Sequence, residues 1–199
     1  MEAAPSGVVR IATPPALATY TLIPALADLH AIAPEVTVEF SVATAVVDLG
    51  SQEADIALRI IRPTSGELVI QKLVHYEMVA VCSPALAAKC SDLSEVPWMT
   101  WGDSLAHIPE ALWLRDHLPD AQIAMKATQL TSLIAAAQSG VGALIVSEPL
   151  AALAGGLVRL PLPQLELTGD LWIVAHRAMR EVPRVAAAWT WASARLSAA

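Results

Sequence analysis

The sequence predicts an α/β fold made of two Rossmann-like lobes joined by two crossover strands. Of its 199 residues 55% are hydrophobic and only 16% are charged, which is enough apolar material for a substantial core. Short strand-like runs alternate with stretches of helical periodicity. This alternation favours βαβ units and a parallel sheet, and its second cycle after about residue 83 indicates a second lobe.

The first cycle opens on the apolar run at 8–12 and continues into a helical pattern that Pro34 terminates. The spacing predicts, in order, the strand 8–12, the helix 16–30, the strand 37–42, a short helix at 46–52, the strand 56–59 and two extended runs at 68–74 and 77–82.

Proline and glycine residues divide the second cycle into elements, because Pro84 suits the start of a helix and Gly140 its end. The predicted elements are the helix 83–89, the strand 98–101, the helix 110–118, the strand 122–125, the helix 130–139, the strand 143–146, the helix 148–154, the strands 157–160 and 165–175, and the helix 182–196.

The last extended run is expected to return the chain to the first lobe. We therefore predict that lobe I comprises 7–80 plus 175–199 and lobe II comprises 81–174, with crossover strands near residues 80 and 174. Residues 1–6 are expected to be disordered or artificially added.

Composition and charge exclude several classes of protein. The formal net charge of −7 opposes direct contact with a nucleic acid backbone. No apolar stretch is long enough for a membrane span, and the N-terminus lacks the features of a secretory signal. A soluble, cytoplasmic protein is expected. Cys82 and Cys90 are read as ordinary thiols, with a redox switch between them as the alternative.

Several short segments, in their order and spacing, resemble the effector-binding (regulatory) domain of LysR-type transcriptional regulators. The segments are Gly7–Ala12, Leu22–Leu26, Ala33–Val36, Val47–Leu49, Glu53–Arg59, Ser83–Pro84 and Ala136–Val146. The resemblance implies a fold like that of type 2 periplasmic-binding proteins, with a small-molecule effector between the lobes. It also implies a homodimer or homotetramer, and DNA contact only through an N-terminal winged helix-turn-helix that this chain lacks.

Candidate ligand residues in lobe I follow the carboxyl ends of its strands, where helix N-termini favour anions. Thr13, Pro14 and Pro15 link the first strand to its helix, although Thr13 is equally suited to capping that helix. Arg59 and Arg62 offer guanidinium groups to a carboxylate, with a structural ion pair to Asp55 or Glu53 as the alternative. Thr44 completes this part of the predicted set.

Lobe II contributes four candidate residues. Thr128 is expected to cap the helix at 130–139 while Gln129 reaches toward the ligand, at a corner that the family resemblance marks as ligand-facing. Trp101 offers an aromatic face, or packs at the edge of the core. Ser147 follows another strand. Trp172, Trp189 and Trp191 are assigned to core and helix packing, and His176 to a structural role near a crossover.

No enzyme motif is present in the sequence. It lacks Gly-x-Ser-x-Gly, His-Glu-x-x-His, Walker and Gly-x-Gly-x-x-Gly patterns, and its histidines lack metal-ligand spacing. We expect no catalysis, no metal and no cofactor. The predicted function is effector binding and oligomerisation in a LysR-type regulator, with a small organic acid as ligand. The alternatives are a transporter's solute-binding protein or a small enzyme on the same fold.

Overall fold

Two compact units make up the chain. The structure, a computed structural model, describes residues 4–42, 54–90 and 93–197. Unit 1 comprises Met1–His75 and Asp170–Ala199, and unit 2 comprises Tyr76–Gly169. The lobe boundaries predicted near residues 80 and 174 lie a few residues further along the same two strands.

Nine strands and eight α-helices are seen in the described residues. The strands are β1 (Ser6–Thr13), β2 (Glu35–Val42), β3 (Ile56–Arg59), β4 (Leu68–Cys82), β5 (Trp98–Trp101), β6 (Ile123–Ala127), β7 (Leu144–Ser147), β8 (Val158–Leu160) and β9 (Thr168–His176). The helices are α1 (Pro15–Leu17), α2 (Leu26–Ile32), α3 (Pro84–Ala87), α4 (Pro109–His117), α5 (Leu130–Gln138), α6 (Glu148–Ala154), α7 (Arg177–Arg180) and α8 (Pro183–Ser197).

The sheet of unit 1 is mixed. β1 runs parallel to β2 and to β3, whereas β9 pairs with β3 in the antiparallel direction. The parallel pairing predicted from the alternation is confirmed for β1, β2 and β3. β9 adds an antiparallel strand to this sheet, because it returns from unit 2 without a right-handed crossover and enters from the opposite end. β1 already begins at Ser6, which pairs with Glu35, so the disorder expected for residues 1–6 is wrong for Ser6.

The first helix is irregular rather than one continuous α-helix. Between α1 and α2 the chain forms a π-helical turn, Ala18–Leu22, and a 3₁₀ turn, Ile23–Ala25. Pro24 explains this break, because its ring lacks an N–H and clashes with the carbonyl four residues earlier in an α-helix. The turn widens so that the Ile23 N–H reaches the Ala18 carbonyl.

The core of unit 1 is closed by its last helix. α8 packs against β1 and α2 and buries Val185, Trp189 and Trp191. The Trp191 Nε1–H donates to the Ala25 carbonyl over 3.1 Å, and the Arg184 Nε–H donates to the Val8 carbonyl over 3.0 Å. The two ends of the sequence thus form one hydrophobic core.

Unit 2 contains two sets of strands. β7 and β8 both pair with β4 in the antiparallel direction, and β5 runs parallel to β6. A parallel bridge between Trp98 and Ala143 aligns β5 with β7. β4 is one strand where two runs were predicted, because the polar residues in its exposed first half obscure its continuity.

Two glycines shape the turn between α5 and β7. Gly140 has a φ of +81°, and the N–H of Val141 donates to the Ala136 carbonyl, so the helix ends in a glycine C-cap as predicted. Gly142 lies where any Cβ would be 2.7 Å from the Pro97 carbonyl oxygen. The turn therefore accepts no side chain at residue 142.

None of the helices in residues 4–42, 54–90 and 93–197 combines the length and the apolar character that a membrane crossing needs.

Candidate functional site

The carboxyl ends of β1 and β3 lie side by side in unit 1, because the two strands are parallel neighbours. Thr13 ends β1 and is buried, and its hydroxyl donates to the Pro14 carbonyl over 3.3 Å. Pro14 occupies the N-cap position of α1 and Pro15 its first turn, with no side chain capping the helix. Thr13 is therefore not the helix cap that was considered as its alternative role.

The two arginines predicted to bind a carboxylate differ in their surroundings. Arg59 is the half-buried last residue of β3 and lies in register with Trp172 of β9. Arg62 is exposed, and its guanidinium carbon lies 5.4 Å from the centre of the Trp172 ring. The Lys72 ammonium is 5.8 Å from the same ring. Trp172 thus packs against the core of unit 1, as predicted, and its half-buried ring also attracts the two cations.

The acidic partners suggested for these arginines have other positions. The Asp55 carboxylate accepts a hydrogen bond of 2.8 Å from the Arg10 backbone N–H. Glu53 and Thr44 lie outside the described residues, as does the helix predicted at 46–52.

In unit 2 the ends of β5 and β6 are joined in register, with Trp101 opposite Ala127. The Gly102 N–H donates to the Ala127 carbonyl over 2.9 Å, which brings Trp101 and Thr128 to the same edge. Since β7 is aligned with β5, Ser147 is the last residue of a third strand that ends in this direction. The structure therefore groups three of the predicted residues of lobe II at one edge.

The cap predicted for α5 is displaced by one residue. Gln129, not Thr128, occupies its N-cap position, and no side chain caps the helix. Thr128 is exposed and lies in the bend between β6, which ends at Ala127, and α5, which begins at Leu130. Ser147 occupies the N-cap position of α6, again without a side-chain hydrogen bond.

Other helices of the chain are capped by side chains. The Ser83 hydroxyl accepts from the Leu86 N–H at the start of α3, and His176 Nδ1 accepts from the Ala178 N–H at the start of α7. The structural role predicted for His176 is thereby confirmed. By contrast, α1, α5 and α6 begin beside the predicted ligand residues with first-turn N–H groups that no side chain caps.

An acidic group near this edge of unit 2, Asp103, is paired with a cation. The Lys126 ammonium donates to the Asp103 carboxylate over 2.8 Å, and this hydrogen bond lowers the pKa of that carboxyl. Both side chains are exposed, so the pair contributes little to stability. Its effect is to limit the repulsion that Asp103 would exert on an anion.

Trp101 also lines a small cavity with Glu110, a residue that the sequence analysis did not single out. Glu110 lies in the first turn of α4, where an acidic side chain is common for helix stability alone. The sequence therefore offered no signal that this carboxyl is partly enclosed. Within the described residues, no group of three or more His, Cys, Asp or Glu side chains is placed to hold a metal ion.

Comparison with known proteins identifies relatives along almost the entire chain. The family model described as the LysR substrate binding domain matches residues 2–197. The Mau operon transcriptional activator of Paracoccus denitrificans is 25% identical over 182 residues, which are 92% of this chain and 62% of that protein. The chain thus spans less than two thirds of this curated relative.

Solved structures agree with this fold. CrgA, a LysR-type transcriptional regulator from Neisseria meningitidis, superposes with a TM-score of 0.79 at 18% identity, over 96% of this chain and 69% of that chain. The AmpR effector binding domain from Citrobacter freundii gives 0.71 at 21% identity, over 98% of this chain and 100% of that one. The two-lobed α/β fold like that of type 2 periplasmic-binding proteins is confirmed. Because the family model spans residues 2–197, the chain belongs to the LysR substrate binding domain family.

Proposed function

We propose that this chain is the effector-binding and oligomerisation domain of a LysR-type transcriptional regulator, acting in the cytoplasm and without catalytic activity. Family membership and fold support the proposal. The net charge of −7 disfavours DNA contact by the chain itself. DNA contact would belong to an N-terminal helix-turn-helix outside these 199 residues, and effector binding would change how it is positioned.

The observation that carries the proposal is the match of the family model over residues 2–197. Helix capping is compatible with the predicted contacts. The helices α1, α5 and α6, which follow strands, begin without a side-chain cap, as do α2 and α4, whereas α3 and α7 are capped. First-turn N–H groups need partners, and anions satisfy them well. A ligand that accepts hydrogen bonds at these edges would supply the missing partners.

The proposed effector is a small organic acid. Because the chain is acidic overall, attraction for an anion has to be local, and Arg59 and Arg62 provide it in unit 1. The proposed contacts are the predicted ones: Thr13, Pro14, Pro15, Thr44, Arg59 and Arg62 in unit 1, and Trp101, Thr128, Gln129 and Ser147 in unit 2.

A thermal-shift screen of small carboxylates, followed by the Thr128→Val variant, tests this function. A ligand at 100 times its Kd stabilises the folded chain by about 2.7 kcal/mol if it binds only the folded state. Thr128→Val should weaken the hit while leaving the melting temperature of the free protein unchanged, because the Thr128 hydroxyl caps no helix.

Thr168→Val is the matched control, since Thr168 is an exposed threonine of the same unit outside the proposed contacts. It should leave both the affinity and the melting temperature unchanged. If carboxylates never raise the melting temperature, or if both threonine variants weaken the hit equally, the proposed ligand class or its contacts are wrong.

Self-association, as a homodimer or homotetramer, is the second part of the proposal. In the first helical region, residues 15–32, the apolar side chains of Leu17, Tyr20 and Leu26 are half-buried. Ile23 and Ile32 are instead the exposed apolar residues of this helical region, at 51% and 64%. Sedimentation should show a dimer or larger species that Ile32→Lys weakens. A monomer at high micromolar concentration would contradict the proposal.

A further inference from the structure

A small cavity in unit 2 is lined mostly by apolar residues. Five of them are nearly or fully buried, namely Met99, Leu114, Leu133, Leu144 and Ile145. Its half-buried lining residues are Thr100 and Trp101 of β5 and Glu110 of α4. The cavity volume is about 10 Å³, which is room for one water-sized group.

Among the described residues that line this cavity, Glu110 is the only ionisable one. Burial among apolar neighbours raises the pKa of the Glu110 carboxyl, and a hydrogen bond from its own backbone N–H acts in the opposite direction. A carboxylate in this position loses hydration without gaining the cationic partner that normally compensates such a loss.

The nearby charged groups of unit 2 have other partners. On α4, Arg115 pairs with Asp116 at 2.7 Å, and His117 Nδ1 lies 3.0 Å from the Trp113 carbonyl oxygen. Lys126 of β6 pairs with Asp103. Across residues 4–42, 54–90 and 93–197, no ion pair is formed by Glu110.

We propose that this cavity binds the primary ammonium group of a small ligand, with the Glu110 carboxylate as counter-ion and the Trp101 ring beside it. A carboxylate supplies the charge, and an indole attracts a cation through its π-system. Thr100 precedes Trp101 on β5, so its side chain points to the other face of the strand and is not part of the proposed site.

The size of the cavity makes the site selective. A primary ammonium head is close in size to water and can enter, whereas a quaternary ammonium is too large and offers no N–H donor. A guanidinium group is planar and wider than a water molecule, so it does not fit the cavity either. The ammonium site shares Trp101 with the proposed carboxylate contacts, but its counter-ion, Glu110, is not one of them. The variant Glu110→Gln therefore tests the ammonium site without changing a proposed carboxylate contact.

Ethylammonium chloride is the probe for the test, because it carries one primary ammonium and no other functional group. NMR titration of the whole chain should show saturable shifts of the Trp101 indole N–H and the Glu110 amide. Sodium chloride at equal ionic strength and tetramethylammonium chloride should not reproduce them. Ammonium chloride separates recognition of the bare ion from recognition of an alkylated amine.

Glu110→Gln removes the charge and keeps the shape, and should weaken ethylammonium binding by about tenfold or more. Glu148→Gln is the matched control, because Glu148 is an exposed first-turn glutamate of α6 in the same unit. That variant should bind ethylammonium as the unmodified chain does. Binding should also weaken as the pH falls through the raised pKa of Glu110, since protonation removes the counter-ion.

Three results would overturn the ammonium site: no saturable shift in the unmodified chain, equal shifts with tetramethylammonium, or unchanged affinity in Glu110→Gln. Failure of the proposed effector function looks different. In that case carboxylates do not raise the melting temperature and Thr128→Val has no effect on binding, whatever ethylammonium does.

Discussion

Replacing Gly142 by alanine should destabilise unit 2 for a purely steric reason. The new Cβ would be 2.7 Å from the carbonyl oxygen of Pro97, a distance that real Cβ contacts do not show. The same oxygen accepts a hydrogen bond of 2.8 Å from the Ala143 N–H. Backbone on both sides therefore has to move, and the movement strains the ladder that aligns β5 with β7.

The magnitude follows from three contributions. Overpacking by one methyl group costs about 1–3 kcal/mol, and weakening the backbone hydrogen bond adds about 1 kcal/mol. Alanine also reduces the conformational freedom of the unfolded chain, which stabilises the folded state by about 0.4–1 kcal/mol. The net loss is about 2 kcal/mol, which lowers Tm by about 4–8 °C in a chain of this size.

Thermal unfolding and amide hydrogen exchange measure this effect. Exchange should accelerate at Ala143 and Met99, whose N–H groups bridge the two strands. The control is Gly156→Ala. Its Cβ would meet nothing within 4 Å, but the φ of +65° at residue 156 disfavours alanine. We expect the free energy of unfolding to fall by about 1 kcal/mol without faster exchange at Ala143. An unchanged Tm for Gly142→Ala with full protection at Ala143 would refute the steric reasoning.

Three further predictions concern buried polar groups. Trp191→Phe should cost about 1–3 kcal/mol in denaturant unfolding, because the Ala25 carbonyl loses its donor; an unchanged midpoint would contradict this. Glu110→Gln should raise the free energy of unfolding at neutral pH, but not at a pH well below the ordinary pKa of a glutamate. Because the pKa of Glu110 is raised in the folded state, the unmodified chain loses stability as the pH rises. An equal change in the free energy of unfolding at both pH values would contradict this prediction. Cys82 should resist alkylation until unfolding, because burial raises its thiol pKa; rapid labelling of the native chain would disprove this.

Elements bounded by clear sequence signals were predicted residue for residue. The strands Ile56–Arg59 and Trp98–Trp101 and the helix Glu148–Ala154 begin and end where predicted. In each case an apolar run meets charge, proline or glycine within one or two residues. The C-terminal helix differs from its prediction by one residue at each end.

Features that depend on tertiary contacts were not predictable in this way. Apolar periodicity continues through the π-helical turn at Ala18–Leu22, so only Pro24 signals that the helix is irregular. The direction of β9 depends on where the chain re-enters unit 1. At the candidate site, residue types and strand ends were predictable, but the exposure of Thr128 and the enclosure of Glu110 depend on packing between elements.

The closure of unit 1 by α8 determines the order in which the two units can fold during synthesis. Unit 2 is one contiguous segment, Tyr76–Gly169, whereas unit 1 needs both ends of the chain. The hydrogen bond from Arg184 to Val8 spans 176 residues and that from Trp191 to Ala25 spans 166. Domains fold as their residues leave the ribosome, so unit 2 can fold first. The apolar faces of β1 and the first helical region therefore remain without this cover until α8 has been synthesised, so unit 1 exposes apolar surface for longer during synthesis than unit 2 does.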